Sequence, residues 1–211
     1  RTHTLKVKGA SYQNVLTEGF VYFVTFPIKK PGAYQLRAVL RDHGSQRVGS
    51  ASQFVEVPDI KKDRLVLSSV VLSGSDPKSK KSSENAGTSS AEAGEQVEDT
   101  TNSAAVRRFH SGSVLSYGVA IYNAKVKNGA PPQVQTQVRM FREGNPVFAG
   151  REQMLTLNNP TDLKRLGASG ALILGSDMPP GEYVFQIVVT DLLADAKHRV
   201  ATQWIDFELV K

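Results

Sequence analysis

The sequence predicts an all-β chain: two immunoglobulin-like antiparallel β-sandwich modules, the first N-terminally incomplete and the second carrying a disordered insertion. Three observations predict it. One stretch occurs twice, as Pro31-Gly32-Ala33-Tyr34-Gln35-Leu36-Arg37-Ala38-Val39-Leu40-Arg41-Asp42 and as Pro180-Gly181-Glu182-Tyr183-Val184-Phe185-Gln186-Ile187-Val188-Val189-Thr190-Asp191. In each copy a Pro-Gly turn leads into strict alternation: Tyr34, Leu36, Ala38 and Leu40 share one face, as do Tyr183, Phe185, Ile187 and Val189. A period of two over that length is the pattern of a half-buried strand. Turn residues then recur about every dozen positions through the second half, the spacing of an antiparallel sandwich.

In chain order, Thr2 to Lys8 alternates with His3, Leu5 and Val7 on one side, and Gly9 closes this first strand. Ser11 to Gly19 is a short helical turn or loop, with Tyr12, Val15 and Leu16 at three-to-four spacing. Phe20 to Ile28 reads as a strand of aromatic and β-branched residues, stopped by Pro27 and the Lys29-Lys30 pair. The first Pro-Gly hairpin follows. Asp42-His43-Gly44-Ser45 turns it, and Arg47 to Val57 returns. Residues 1–58 therefore hold about four strands where a sandwich needs about seven, so this module is expected to be cut short at its N-terminal side.

Residues 59–211 form the second module. Arg64 to Leu72 begins it, and residues 73–105 then lose all periodicity. That stretch is rich in Ser, Glu, Gly, Thr and Ala and holds no aromatic residue. Burial there cannot offset the entropy of ordering, which marks a disordered insertion between the first and second strands. Ser113 to Tyr122 carries Leu115, Tyr117, Val119 and Ile121 inward. Asn128-Gly129 and Pro131-Pro132 form a loop before the strand Val134 to Phe141. Glu143-Gly144-Asn145 turns that strand back through Val147 and Phe148. Met154 to Leu157 is a shorter strand, Thr161 to Leu166 a helical turn capped by Thr161, and Ala171 to Leu174 leads to the second Pro-Gly hairpin. Val200 to Val210 closes the chain.

The repeat also has the spacing of a tyrosine corner. In immunoglobulin-like sandwiches such a Tyr starts a late strand and hydrogen-bonds to backbone upstream. Tyr34 and Tyr183 occupy that place behind the turn glycines Gly32 and Gly181, with Leu36 and Phe185 two residues on. The return strands correspond as well: Arg47-Val48-Gly49-Ser50 matches Arg199-Val200-Ala201-Thr202, and Val55 and Val57 match Phe207 and Leu209.

The wording of these segments resembles one known group. Lys29-Lys30-Pro31-Gly32-Ala33-Tyr34-Gln35-Leu36-Arg37, Arg47 to Asp59 and Ala201-Thr202-Gln203-Trp204-Ile205-Asp206-Phe207-Glu208 are similar to the C-terminal region of the large bacterial von Willebrand factor A-related proteins. The similarity spans most of the chain except the insertion. It implies β-sandwich modules behind an upstream A-type α/β domain, in an exported or envelope-associated protein with a binding role. An A-type metal site needs an Asp-x-Ser-x-Ser loop. Asp76-Pro77-Lys78-Ser79-Lys80 lacks the last serine, so no metal function carries over.

Composition adds exclusions. The 211 residues contain no cysteine, so neither disulfides nor thiol chemistry are available. No apolar run reaches membrane-spanning length. The net charge of +6 combines a local −3 between Gly74 and Ala105 with +9 elsewhere. The basic residues are spread over outward positions and turns, the pattern of a solvated surface rather than a nucleic-acid stripe. His3, His43, His110 and His198 share no ligand spacing, and Asp42, Asp191 and Asp195 read as turn-capping residues. No nucleophile elbow, phosphate loop or acid/base carboxylate pair is present, so no cofactor and no enzymatic activity are expected.

Two outward aromatics remain. Trp204 lies opposite the inward Ile205, Phe207 and Leu209, among Thr202, Asp206 and Glu208, and Phe54 sits beside Glu56. Either ring is a candidate partner or sugar platform, or packs on a neighbouring element. The expectation is a non-catalytic structural and protein-interaction pair of modules. The alternative is a carbohydrate-binding or hydrolase-accessory module.

Overall fold

The computed structural model describes residues 9–41, 44–75, 102–127, 129–157 and 160–211. The expectations for Thr2 to Lys8, for Asp42-His43 and for most of the insertion lie outside the described residues.

The elements run α1 (Ala10–Glu18), β1 (Gly32–Arg41), β2 (Val48–Val57), β3 (Val66–Leu67), β4 (Val71–Ser75), β5 (Arg108–His110), β6 (Val114–Tyr122), β7 (Val134–Arg142), β8 (Asn145–Ala149), β9 (Gln153–Met154), β10 (Arg165–Ile173), β11 (Gly181–Asp191) and β12 (Val200–Val210). The fold is all-β and its complete module is an immunoglobulin-like sandwich. One sheet holds β10, β6 and the short β3 and β4, which share one edge of β6. The other runs β5-β12-β11-β7-β8, with β9 also on β7.

Alternation decides what lies between the sheets. Leu115 and Ile121 of β6, Leu72 of β4 and Leu166 of β10 face Phe185, Ile187 and Val189 of β11, Met140 of β7 and Phe207 of β12 in one buried cluster. The Tyr117 and Phe185 rings meet across the gap at 5.1 Å, and Phe109 of β5 approaches Phe207 at 5.8 Å. Each fully buried Leu, Ile or Phe is worth about 1.5–3 kcal/mol, so this cluster supplies most of the driving force for folding.

The module's first strand is split between the two sheets. β4 pairs antiparallel with β6, whereas β5 pairs parallel with β12. The insertion interrupts the strand between these halves. The structure narrows its expected bounds, because β4 continues to Ser75 and turns are in place from Asn102. The Gly74 N–H donates to the Asn102 carbonyl at 2.9 Å, which brings the two ends of the insertion together.

Three local expectations are corrected. The turn at 161–164 is organised by Asp162, whose Oδ1 accepts from the Lys164 N–H at 2.8 Å, not by a Thr161 cap on a helix. Ala171 to Leu174 is the end of a much longer strand, β10, whose Gly167-Ala168-Ser169-Gly170 centre has weak strand propensity. Ser11 to Gly19 makes a full helix, Ala10–Glu18, whose C-terminal Gly19 N–H donates to the Val15 carbonyl at 3.0 Å.

Residues 1–58, the module expected to be incomplete, differ from expectation at Phe20 to Ile28, which is not a strand. They do not build a sandwich in the described structure. β1 and β2 form a two-stranded sheet alone, and Phe20 to Ile28 is extended without a ladder. The complete copy supplies the physical reason. There the strand before the Pro-Gly turn, β10, is held by β6 along its whole length. The described residues of the first copy hold no counterpart of β6, so a strand-forming sequence has nothing to pair with.

Candidate functional site

The two hairpins are the same object in two environments. Their registers correspond end to end: Gly32 pairs with Val57 as Gly181 pairs with Leu209, and Arg41 with Val48 as Thr190 with Val200. Gly32 and Gly181 open the strands with φ of 143° and 139°, a region that a side chain would strain. Behind them Tyr34 Oη donates to the Lys30 carbonyl and Tyr183 Oη to the Pro179 carbonyl, each at 2.8 Å and each four residues back. Those are the corner bonds. Tyr183 is buried, stacked on Phe207 at 5.5 Å with the Arg142 guanidinium 5.8 Å from its ring centroid. Tyr34 is only half-buried.

The inward faces diverge. Phe185, Ile187 and Val189 are fully enclosed, whereas Leu36 is 53% exposed and Leu40 80% exposed. Phe20, Phe23, Val24 and Phe26, just upstream, are also exposed. β11 is flanked by β7 over Val184 to Asp191, but the matching edge of β1 pairs with nothing among the described residues. An apolar strand face with an open edge is a pairing surface.

The second candidate surface is the outer face of the larger sheet. Register sets Trp204, Gln186 and Arg139 side by side across β12, β11 and β7, and Thr202, Val188 and Gln137 in the adjoining row. Trp204 is 63% exposed, so its ring is not packed away against another element. Gln137, Arg139, Glu152, Gln186, Val188 and Thr202 line a shallow groove of about 360 Å³. Its polar side chains are ordered: Arg139 Nε donates to Gln137 Oε1 at 2.9 Å, and Gln137 Nε2 to the Gly150 carbonyl at 2.9 Å. Phe54 is also exposed, but it faces Gln35 on β1, two positions along the strand from Ser52, the true equivalent of Trp204. Its own counterpart by register is Asp206, so the two aromatics are not copies of one site. Alternation alone places Trp204 outward. It does not name Gln186 and Arg139 as neighbours, because that requires knowing which strands adjoin.

Asp191, Asp195, His110 and His198 sit at turns and strand ends. Asp191 is buried, its Oδ2 accepting from the Lys125 N–H at 2.7 Å and its Oδ1 from the Leu193 N–H at 3.0 Å. It ties the β11–β12 loop to the chain leaving β6. Asp195 is exposed and lies 3.8 Å from Lys125 Nζ. His110 Nδ1 lies 2.8 Å from the Lys211 carbonyl, and His198 sits in the short 3-10 turn before β12. No cluster of three metal-ligating side chains exists among the described residues. No helix among them is long and apolar enough to cross a membrane. Burial pushes the Tyr117 phenol up from its ordinary pKa.

No protein-family model matches the chain, and no curated protein does. Among solved structures it is similar to the CARDB domain of a Pyrococcus furiosus protein crystallised with di-metal ions. The TM-score is 0.31 at 14% identity, covering 70% of this chain and 96% of that one. It is also similar to a β-glucosidase from Listeria innocua in complex with glucose, with a TM-score of 0.31 at 16% identity. That likeness covers 50% of this chain and spans only 15% of the enzyme. Superpositions this loose bear on neither ligand nor activity.

Proposed function

We propose that the chain serves as non-catalytic structural and protein-interaction modules of a larger exported bacterial protein of the von Willebrand factor A-related group. They would space an upstream A-type domain and contact other proteins in the secreted or envelope compartment. The observation that carries the interaction role is the first hairpin. Its face is a sandwich interior in the second copy and faces solvent in the first, with an edge beside it that pairs with nothing among the described residues. Such a surface is suited to receiving strands from another β-element. The group and compartment rest on the sequence resemblance.

Hydrogen exchange tests the interaction role. In this chain alone, the outward-edge amides of β1 should exchange orders of magnitude faster than those of β11. In the natural full-length protein in its native envelope, they should become as protected as β11. Equal, fast exchange of β1 in both settings refutes the role. Detectable turnover by this chain alone would refute its non-catalytic character.

A further inference from the structure

We propose that the outer face of the β5-β12-β11-β7-β8 sheet is a binding platform for neutral oligosaccharides, with Trp204 as the stacking surface and Gln186, Arg139, Gln137 and Thr202 as the hydroxyl-binding groups. This goes beyond the interaction role of the first hairpin and stands on separate residues.

Three features point to that ligand class. The first is the indole itself. Trp204 is 63% exposed on a flat sheet face, although burying a side chain of that size would stabilise the fold. A pyranose presents a face of C–H groups that matches an aromatic ring in size and polarity. The second is what surrounds the ring. Gln186 is its direct cross-strand partner, Arg139 lies one strand further, and Thr202 and Gln137 occupy the next row. Directly paired side chains start about 4.5–5.5 Å apart, so ring, amide and guanidinium fall within the span of one or two sugar rings. Amide, guanidinium and hydroxyl groups supply the mixture of donors and acceptors that a row of hydroxyls requires. The bonds from Arg139 to Gln137 and from Gln137 to Gly150 hold these groups before any ligand arrives, which lowers the ordering cost of binding.

The third feature is charge. Among the described residues, Arg139 and Glu152 are the only charged groups lining the groove, one of each sign. The groove is formally neutral, and on the other side of Trp204 the carboxylates of Asp206 and Glu208 are paired with Arg107 and Arg108, so the platform favours an uncharged chain over phosphate, nucleic acid or acidic polysaccharide. Its volume of about 360 Å³ lies at the small end of ligand sites. Being open along the sheet, it covers one side of the ligand, so affinity on the order of millimolar is expected.

Trp204 is the sole tryptophan in the chain, so it reports its own occupancy. The intact chain is titrated with neutral gluco-, manno- and chito-oligosaccharides while tryptophan emission and acrylamide quenching are followed. Affinity electrophoresis in gels containing the corresponding polysaccharides runs in parallel. The expected result is a saturable emission shift with loss of quenching for at least one series, and retardation in the matching gel. Gln186→Ala keeps the fluorophore and should weaken binding about tenfold. Trp204→Ala should abolish retardation while leaving the melting temperature unchanged, because the ring is exposed. A Phe54→Ala variant should bind normally. No emission change with any neutral series up to tens of millimolar, with no retardation, overturns the proposal. So does binding that survives both Trp204→Ala and Gln186→Ala. Emission changes produced only by a protein partner reassign the surface to protein docking and equally overturn it.

Discussion

Replacing Tyr183 by Phe removes one atom from a buried ring, and the structure sets how much that should cost. The Tyr183 hydroxyl donates one hydrogen bond, to the Pro179 carbonyl at 2.8 Å. The ring keeps its stacking on Phe207 and its contact with the Arg142 guanidinium, so no cavity larger than one oxygen appears. Pro179 is exposed, and its carbonyl can turn to water instead of being stranded. The penalty is therefore one net hydrogen bond, about 1 kcal/mol, without the surcharge for an unsatisfied buried group. For a cooperative unit of about 150 residues that lowers the melting temperature by about 2–4 °C. The assay is urea denaturation followed by near-ultraviolet circular dichroism, with the slope checked for constancy. Tyr34→Phe is the internal control. It deletes the same bond in a hairpin outside the packed core, so the midpoint of the main transition should not move. A midpoint unchanged by Tyr183→Phe, or equal losses from both substitutions, would refute the view that the corner bond stabilises only the copy with a closed core.

Other perturbations separate the same elements. Asp191→Ala leaves the Lys125 and Leu193 amides without their carboxylate, and should cost about 2–4 kcal/mol in urea midpoint with faster exchange at those two amides. Gly74→Ala would place a methyl group 2.6 Å from the fully buried Phe109 ring, and the overpacking should cost about 1–3 kcal/mol. Glu at both Leu36 and Leu40 should change the main transition by less than about 0.5 kcal/mol, whereas Ile187→Glu should abolish it. Stability should also decline at alkaline pH. Tyr117 resists ionisation in the folded state, so above about pH 10 the unfolded chain releases a proton that the folded chain retains. The loss begins at the unfolded pKa and continues up to the raised folded one. Tyr117→Phe should flatten the curve there.

What could be read from the sequence was whatever depends on neighbours along the chain. The alternation of β6, β7, β11 and β12 and the Glu143-Gly144 turn follow from local pattern, and so does the outward placing of Trp204. What could not be read depends on pairing. Phe20 to Ile28 has every local mark of a strand, yet a strand exists only where a ladder partner exists. β10 shows the reverse case: Gly167 and Gly170 weaken its local signal, but β6 on its edge holds it straight. Asp191 looks like any turn aspartate until the fold brings the Lys125 amide to it. The groove beside Trp204 likewise appears only once β7, more than 40 residues away in sequence, is known to adjoin β11.

The split first strand has a consequence for how this module tolerates change. β4 and β5 are each fastened to a different sheet, and the Gly74–Asn102 bond closes the gap between them before any residue of the insertion is counted. Its length is thus uncoupled from the sandwich. Doubling such a loop adds only about 0.6 kcal/mol of closure entropy, and shortening it severalfold recovers about 1–2 kcal/mol. The position works as a port in the module wall, where peptides of other lengths and compositions can be exchanged without redesigning the core. The same substitution inside the β11–β12 loop would displace Asp191 and unfasten the sheet.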